Sequence, residues 1–215
     1  MGGPASYEFG NLRSRRPRSN VNRNDQLFDP ALLDVEGVIL LSGGVDSAAL
    51  AALAKEQGLL ATALFVGYGQ AAYAAERASS CAVAERYDLA WREVQLGGLR
   101  FGQGEIRGRN AFFVHLALLT LQVPSCVVYL GVHAGTGYRD CSPEFIELIQ
   151  SSLDFHTGGQ VRLAAPFLEA QKADVYALAE SLNVPFELTY SCEAGSTPCG
   201  ACASCRDRAM LNARA

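Results

Sequence analysis

The 215-residue chain is 49% hydrophobic and 19% charged, with 18 basic residues against 22 acidic and a net charge of −4. That length and mix suit one well-buried globular α/β domain rather than a disordered chain. No apolar run reaches a membrane span, no secretory pattern opens the chain, and the acidic balance offers no basic face, so neither a membrane nor a direct nucleic-acid partner is expected.

Residues 1–34 carry Arg13, Arg15, Arg16, Arg18 and Arg23 among Asn and Ser, with few apolar positions. They read as a flexible arm and a candidate contact for a protein partner. From residue 35 to 188, strands and helices alternate. Val38–Leu41 reads as the first strand and Ala48–Gln57 as its helix, stopped by Gly58. Leu60–Val66 reads as a strand, Ala71–Tyr87 as a helix and Ala90–Leu96 as a third strand, followed by a glycine-rich connection to Gly108. Asn110–Leu121 is helical, and the apolar run Cys126–Val132 is a buried strand. Pro143–Leu153 opens with the proline that helices accept at their start. Val161–Leu163 is a short strand and Glu169–Leu182 a helix. Repeated β–α units imply a doubly wound parallel sheet covered on both faces, with ligands at the carboxyl ends of its strands. Residues 189–215 form a separate cysteine-rich module ending in a helix.

The stretch Leu41-Ser42-Gly43-Gly44-Val45-Asp46-Ser47-Ala48-Ala49-Leu50-Ala51 joins the first strand to the first helix. A strand feeding a glycine turn and a helix start gathers backbone N–H groups and the positive helix end at one point, an anion site suited to phosphate. Ser42 and Ser47 add hydroxyls. Asp46 would repel phosphate, so it is expected to hold a bridging Mg²⁺ or to fix the turn. No Lys follows the glycines, which excludes the Walker loop.

Cys192, Cys199, Cys202 and Cys205 lie within fourteen residues. Their spacing suits a closed, structural Zn²⁺ site in a reducing, cytoplasmic compartment, with an iron–sulfur cluster as runner-up. Cys81 and Cys126 read as buried core thiols. His115 reads as a core or edge histidine, and His133, just past the fourth strand, lies better for a site.

The Ser42–Ser47 loop resembles the SGGxDS loop of the ATP pyrophosphatase (PP-loop) superfamily. Further stretches narrow the resemblance: Tyr68-Gly69-Gln70, Gly108-Arg109-Asn110, Gly137 to Ile146, Lys172-Ala173-Asp174-Val175, and Thr189-Tyr190-Ser191-Cys192 leading into Cys199–Arg206. In this order they are similar to the 7-cyano-7-deazaguanine synthase (QueC) family over about residues 37–212. The resemblance implies a Rossmann-like sheet of the adenine nucleotide alpha hydrolase type with a C-terminal zinc-binding module, and a homodimer. It implies an enzyme that uses ATP to adenylate 7-carboxy-7-deazaguanine, then ammonia to form the amide, then a second ATP to form the nitrile, a queuosine precursor.

On that resemblance, Leu41 to Ala51 with Arg109 and Asn110 are expected to hold ATP. Ser42, Asp46, Ser47 and Lys172 are expected to act in catalysis. Tyr68, Gln70, Tyr138 and Phe145 are expected around the substrate ring, with Asp140 or Glu144 accepting from its guanidine-like edge. The family pattern departs at Ala71-Ala72 where Arg-His is usual, at Gly137–Ser142 where the usual GYPDCR is altered and the preceding loop looks shortened, and at Tyr190 where Trp is usual. These departures lie on the substrate side and point to retained ATP use with an altered acceptor. The alternatives are a QueC-like antiphage-defence enzyme that passes the activated carboxylate to a protein amine or stops at the amide, and a nucleotide-binding scaffold. A tRNA-thiolating relative would want a basic RNA face that this chain lacks.

Overall fold

A computed structural model describes residues 35–101, 104–121 and 125–212. The arm expected at residues 1–34 lies outside that range. The strands are β1 (Gly37–Leu40), β2 (Ala61–Gly67), β3 (Ala90–Gln95), β4 (Cys126–Tyr129) and β5 (Val161–Ala164). All neighbours run parallel in the order β3-β2-β1-β4-β5, with Ile39 in register with both Ala63 and Tyr129. The helices are α1 (Val45–Glu56), α2 (Tyr73–Arg86), α3 (Arg109–Leu121), α4 (Pro143–Thr157), α5 (Lys172–Ser181) and α6 (Ala203–Asn212).

Strand side chains alternate between faces, so β1 divides its apolar residues between two cores. Ile39 and Leu41 join α1, α2 and α5 on one face. Val38 and Leu40 join α3 and α4 on the other. Both faces are therefore covered, as the near-continuous apolar runs of β1 and β4 require. The sheet is doubly wound. The chain moves outward from β1 to β3, then returns to lay β4 on the far side of β1. Loops leaving β1 and β4 diverge there and open a crevice.

Several boundaries shift for local reasons. α1 begins at Val45 because Gly44, extended at φ −77°, ψ 166°, is its N-cap. β4 ends at Tyr129, and the expected continuation to Val132 instead walls the crevice. α4 runs on to Thr157 and stops at the left-handed Gly158. α5 starts at Lys172, not Glu169, because Gln171 and Asp174 form a reciprocal capping box there. Cys126 is buried as expected, but Cys81 is exposed. α2 buries only the side bearing Ser80, Val83 and Ala84, and Cys81 shares the outer face with Arg77 and Glu85. Among the described residues no helix is long and apolar enough to cross a membrane.

Candidate functional site

The crevice is a cleft of about 600 Å³ at the carboxyl ends of β1, β2 and β4. Its floor is the loop from Leu41 to Ser47. Ser47 Oγ donates to the Gly44 carbonyl at 3.0 Å, and the Ser42 and Ser47 hydroxyls lie 3.1 Å apart. No side chain caps α1, so its first N–H groups are left for a ligand. The loop is braced from behind. Buried Ser80 on α2 donates to the Leu41 carbonyl at 2.8 Å and accepts from Trp91 Nε1 at 3.0 Å. Gly43 has φ +84°, and a Cβ there would lie 2.6 Å from the Glu76 carbonyl oxygen, so only glycine lets the loop sit on α2.

One wall is charged. Lys172, the first residue of α5, places Nζ 2.8 Å from Asp46 Oδ1 and 2.6 Å from Oδ2. His133 Nδ1 accepts the Gly135 N–H at 3.0 Å, which leaves Nε2 as the ring N–H facing Asp46 Oδ2 at 3.6 Å. Burial works to raise the Asp46 carboxyl, but the His133 contact and the Lys172 charge outweigh it and hold it below the ordinary value.

The opposite wall is aromatic and acidic. Tyr68 packs at 5.1 Å from the Phe113 ring and 5.8 Å from Phe101. Gln70 is buried, accepts the Tyr68 N–H at 2.8 Å and donates to Glu76 at 3.0 Å. Burial raises the Glu76 carboxyl, against the lowering effects of Gln70 and Arg109.

The cysteine segment forms a third wall. The Tyr190 N–H donates to the Gly43 carbonyl at 2.9 Å, tying this segment to the phosphate loop. Ser191, Glu193, Ser204 and Asp207 line the cleft. The four cysteine sulfurs all lie within 4.8 Å of one another. Tetrahedral thiolates at the Zn–S distance of about 2.3 Å would be about 3.8 Å apart, close to the 4.0 Å between Cys199 and Cys205. The N–H groups of Ala194 and Cys199 point at the Cys192 sulfur, and those of Ala201 and Cys202 at Cys199. Against the opposing effect of burial, they lower the Cys192 thiol to about 6, and they lower Cys199 as well. These N–H groups favour the thiolate at Cys192 and Cys199, whereas burial pushes the Cys205 thiol up to about 11, and the four sulfurs could together hold one metal ion.

Of the residues singled out in sequence, Leu41, Ser42, Gly44, Val45, Asp46, Ser47, Tyr68, Gln70, Arg109, Asn110, Tyr138 and Lys172 line the cleft. Ala48, Ala49, Leu50 and Ala51 do not; all four are fully buried in the core, where small side chains let α1 approach the sheet. Gly43 shapes the loop from beneath. Phe145 packs into the core around α3 and α4. Glu144 is exposed on the first turn of α4, where the helix dipole favours it. Asp140 lies on a short 3₁₀ turn and accepts from the neighbouring Cys141 thiol at 3.8 Å. The substrate-edge role expected of Asp140 or Glu144 therefore has no carboxylate from that segment in the cleft.

Glu76, Ser80, Glu193 and Asp207 also belong to the site but lie outside every motif visible in the sequence. Ser80 left one signal, a hydroxyl on the inner, otherwise apolar side of α2. The others left none.

A phosphate-shaped loop at the switch point of a parallel sheet, facing a lysine, defines a nucleotide-using α/β enzyme of the PP-loop class. The chain matches the family model described as queuosine biosynthesis protein QueC over residues 36–104 and 101–213. It is 34% identical over 211 residues to the 7-cyano-7-deazaguanine synthase of Gloeothece citriformis, covering 83% of this chain and 92% of that protein. It is 36% identical over 203 residues to the 7-cyano-7-deazaguanine synthase of Methanoculleus marisnigri, covering 80% of this chain and 91% of that protein. Among solved structures, the U34-tRNA thiolase NcsA of Methanococcus maripaludis, solved with its 4Fe–4S cluster, shares the fold. Its TM-score is 0.53 at 16% identity, over 86% of this chain and 67% of that one. The chain belongs to the QueC family and is an ATP-dependent carbon–nitrogen ligase by class.

Proposed function

We propose that this enzyme adenylates 7-carboxy-7-deazaguanine with release of pyrophosphate, then replaces AMP by ammonia to give the amide, and activates the amide with a second ATP to give the nitrile. The carrying observation is Lys172 held over the Ser42–Ser47 loop by Asp46. A carboxylate is a poor acyl donor, and adenylation supplies its leaving group. The enzyme must meet the charge of the departing pyrophosphate. Preorganised donors do this best, and the loop N–H groups, the Ser42 and Ser47 hydroxyls and Lys172 converge for that task. Arg109 and Asn110, on the facing wall, would complete the ATP site.

Mg²⁺ would enter with ATP, as its phosphate complex. Asp46 suits a share in it, because Lys172 uses one acceptor position on each carboxylate oxygen and leaves others free. For the four cysteines we propose structural Zn²⁺. The tight sulfur spacing supports a single ion, since a cluster with one iron per cysteine would spread the sulfurs further apart. The homodimer has one support: α3 and α4, joined by the His115–Ser152 hydrogen bond, leave Leu119, Leu148 and Phe155 exposed, a face that a second copy would cover.

Incubation with ATP, Mg²⁺, 7-carboxy-7-deazaguanine and ammonium should release AMP and pyrophosphate, with the nitrile identified by mass. Absence of AMP across ammonium and several amines would overturn the proposal. A second reading sends the activated carboxylate to a protein amine. An open groove of about 510 Å³, lined by Gly69, Ala71 and Phe101, adjoins the cleft at Gln70 and supports it, because an extended acceptor would have an approach there. A covalent deazaguanine mass on a protein, in place of the nitrile, would identify that outcome.

A further inference from the structure

Four carboxylates line the cleft among the described residues, and their hydrogen bonds separate them. Asp46 is paired through both oxygens with Lys172, so its charge already faces a cation. Glu193 accepts from the Gly104 N–H at 3.2 Å with one oxygen and from the Ser204 hydroxyl at 2.7 Å with the other. Asp207 stands on α6 and takes no side-chain hydrogen bond among the described residues, so nothing holds its carboxylate in one orientation. Glu76 differs from all three. Its Oε2 accepts from Gln70 Nε2, and the Gln70 amide is itself fully engaged, with Oε1 on the Tyr68 N–H and Nε2 also donating to the Val66 carbonyl at 3.2 Å. The clamp holds one Glu76 oxygen, and the other takes no hydrogen bond within the described protein. An acceptor fixed in this way, half-buried in a cleft that Tyr68 and Phe113 also line, is matched by N–H groups on the edge of a flat heterocycle.

We infer that Glu76 is the specificity-determining residue that reads the guanidine-like edge of the deazaguanine ring. This deepens the function proposed above and rests on it. A guanine-like edge presents a ring N–H and an amino N–H side by side, which the open Glu76 oxygen and the acceptor position that Gln70 leaves on its neighbour can take as a pair. The adenine edge of ATP sets one amino group beside a ring acceptor, and a carboxylate would repel that acceptor. Burial without a ligand pushes the Glu76 carboxyl up, and two donors from the substrate would offset that cost. Gln70 then acts as a positioning residue, fixing the carboxylate against rotation.

The test is Glu76→Gln, which keeps the size of the side chain and an oxygen for Gln70. AMP release is compared on 7-carboxy-7-deazaguanine and on its analogue lacking the 2-amino group. Wild type should favour the amino compound by about 100-fold in kcat/KM, because the analogue leaves the carboxylate unpaired. Glu76→Gln should reduce that preference to about threefold or less, with KM for ATP unchanged, and Glu76→Asp should recover part of it. Calorimetry with 7-deazaguanine, which has no carboxylate to activate, gives a second readout, and Glu76→Gln should weaken its binding at least tenfold. Thermal melts of both variants establish that they fold. A variant that keeps the wild-type preference, or that loses ATP affinity in its place, overturns the inference, as does a wild type that fails to bind 7-deazaguanine. A wild type that binds 7-deazaguanine through Glu76 but forms no AMP would uphold the inference and sink the adenylation chemistry.

Discussion

Replacing Lys172 with Met removes the cation from Asp46 while keeping an unbranched stem against the Tyr176 ring, over which Nζ now sits at 4.9 Å. Each partner of the pair is 27% exposed. Removing one member of a fully buried pair costs about 3–5 kcal/mol; with a quarter of each side chain still wet, about 1–3 kcal/mol is expected here. Acid dependence gives the sharper signature. Burial opposes the charged Asp46, and His133 and Lys172 overcome it, so the folded carboxyl lies below its unfolded value of about 3.9. A carboxyl held low stabilises the fold above its unfolded value, and that contribution is lost as pH falls through the folded value. Wild type should therefore lose this stability below about pH 4. The Met variant, having lost the Lys172 share of it at neutral pH while His133 keeps its own, should decline less steeply. Urea unfolding at pH 7 and at pH 3 measures both quantities. A variant within about 0.3 kcal/mol of wild type at pH 7, with the same acid slope, would refute the claim that Lys172 compensates a desolvated Asp46. Turnover is an independent readout, expected to fall about 10²-fold or more.

Three other outcomes are expected. Gly43→Ala forces a Cβ to within 2.6 Å of the Glu76 carbonyl at a positive φ, which should cost about 2–4 kcal/mol and raise KM for ATP; denaturant melts and kinetics check it. Ser80→Ala strips the Leu41 carbonyl and Trp91 Nε1 of their partner in a fully buried place, at about 1–3 kcal/mol by urea unfolding, with the phosphate loop loosened in hydrogen exchange. Purified protein should carry one metal ion per chain by elemental analysis, lost in Cys199→Ser. Chelation should lower the melting temperature and weaken ATP binding together, because the Tyr190 N–H ties the cysteine segment to Gly43. Unchanged ATP affinity after metal loss would show that link to be without consequence.

Features written in short stretches were legible from sequence. The strand–glycine–helix loop needs only Val38 to Ser47, and the α1 start moved by three residues because a glycine, not a polar side chain, serves as the cap. Four cysteines in fourteen residues announce a metal site through spacing alone. The alternation of strands and helices, and with it the parallel sheet, follows from periodicity. Boundaries failed where a local device competed with the pattern, as at the Gln171–Asp174 capping box.

What spacing could not supply is which distant segments meet. Lys172 reaches Asp46 across 126 residues, because laying β4 beside β1 and β5 beside β4 brings the start of α5 over the phosphate loop. The same order turns Glu76 toward the cleft beside Tyr68 and leaves Glu144 in solvent, although both stand on the first turns of helices. A helix's period says which of its residues share a face, but its neighbours decide which face meets a ligand. By itself the sequence determined the phosphate loop, the cysteine site and the family. Tertiary structure alone decided which carboxylates and cations share the cleft, because their approach depends on strand order and crossover packing rather than on chain proximity.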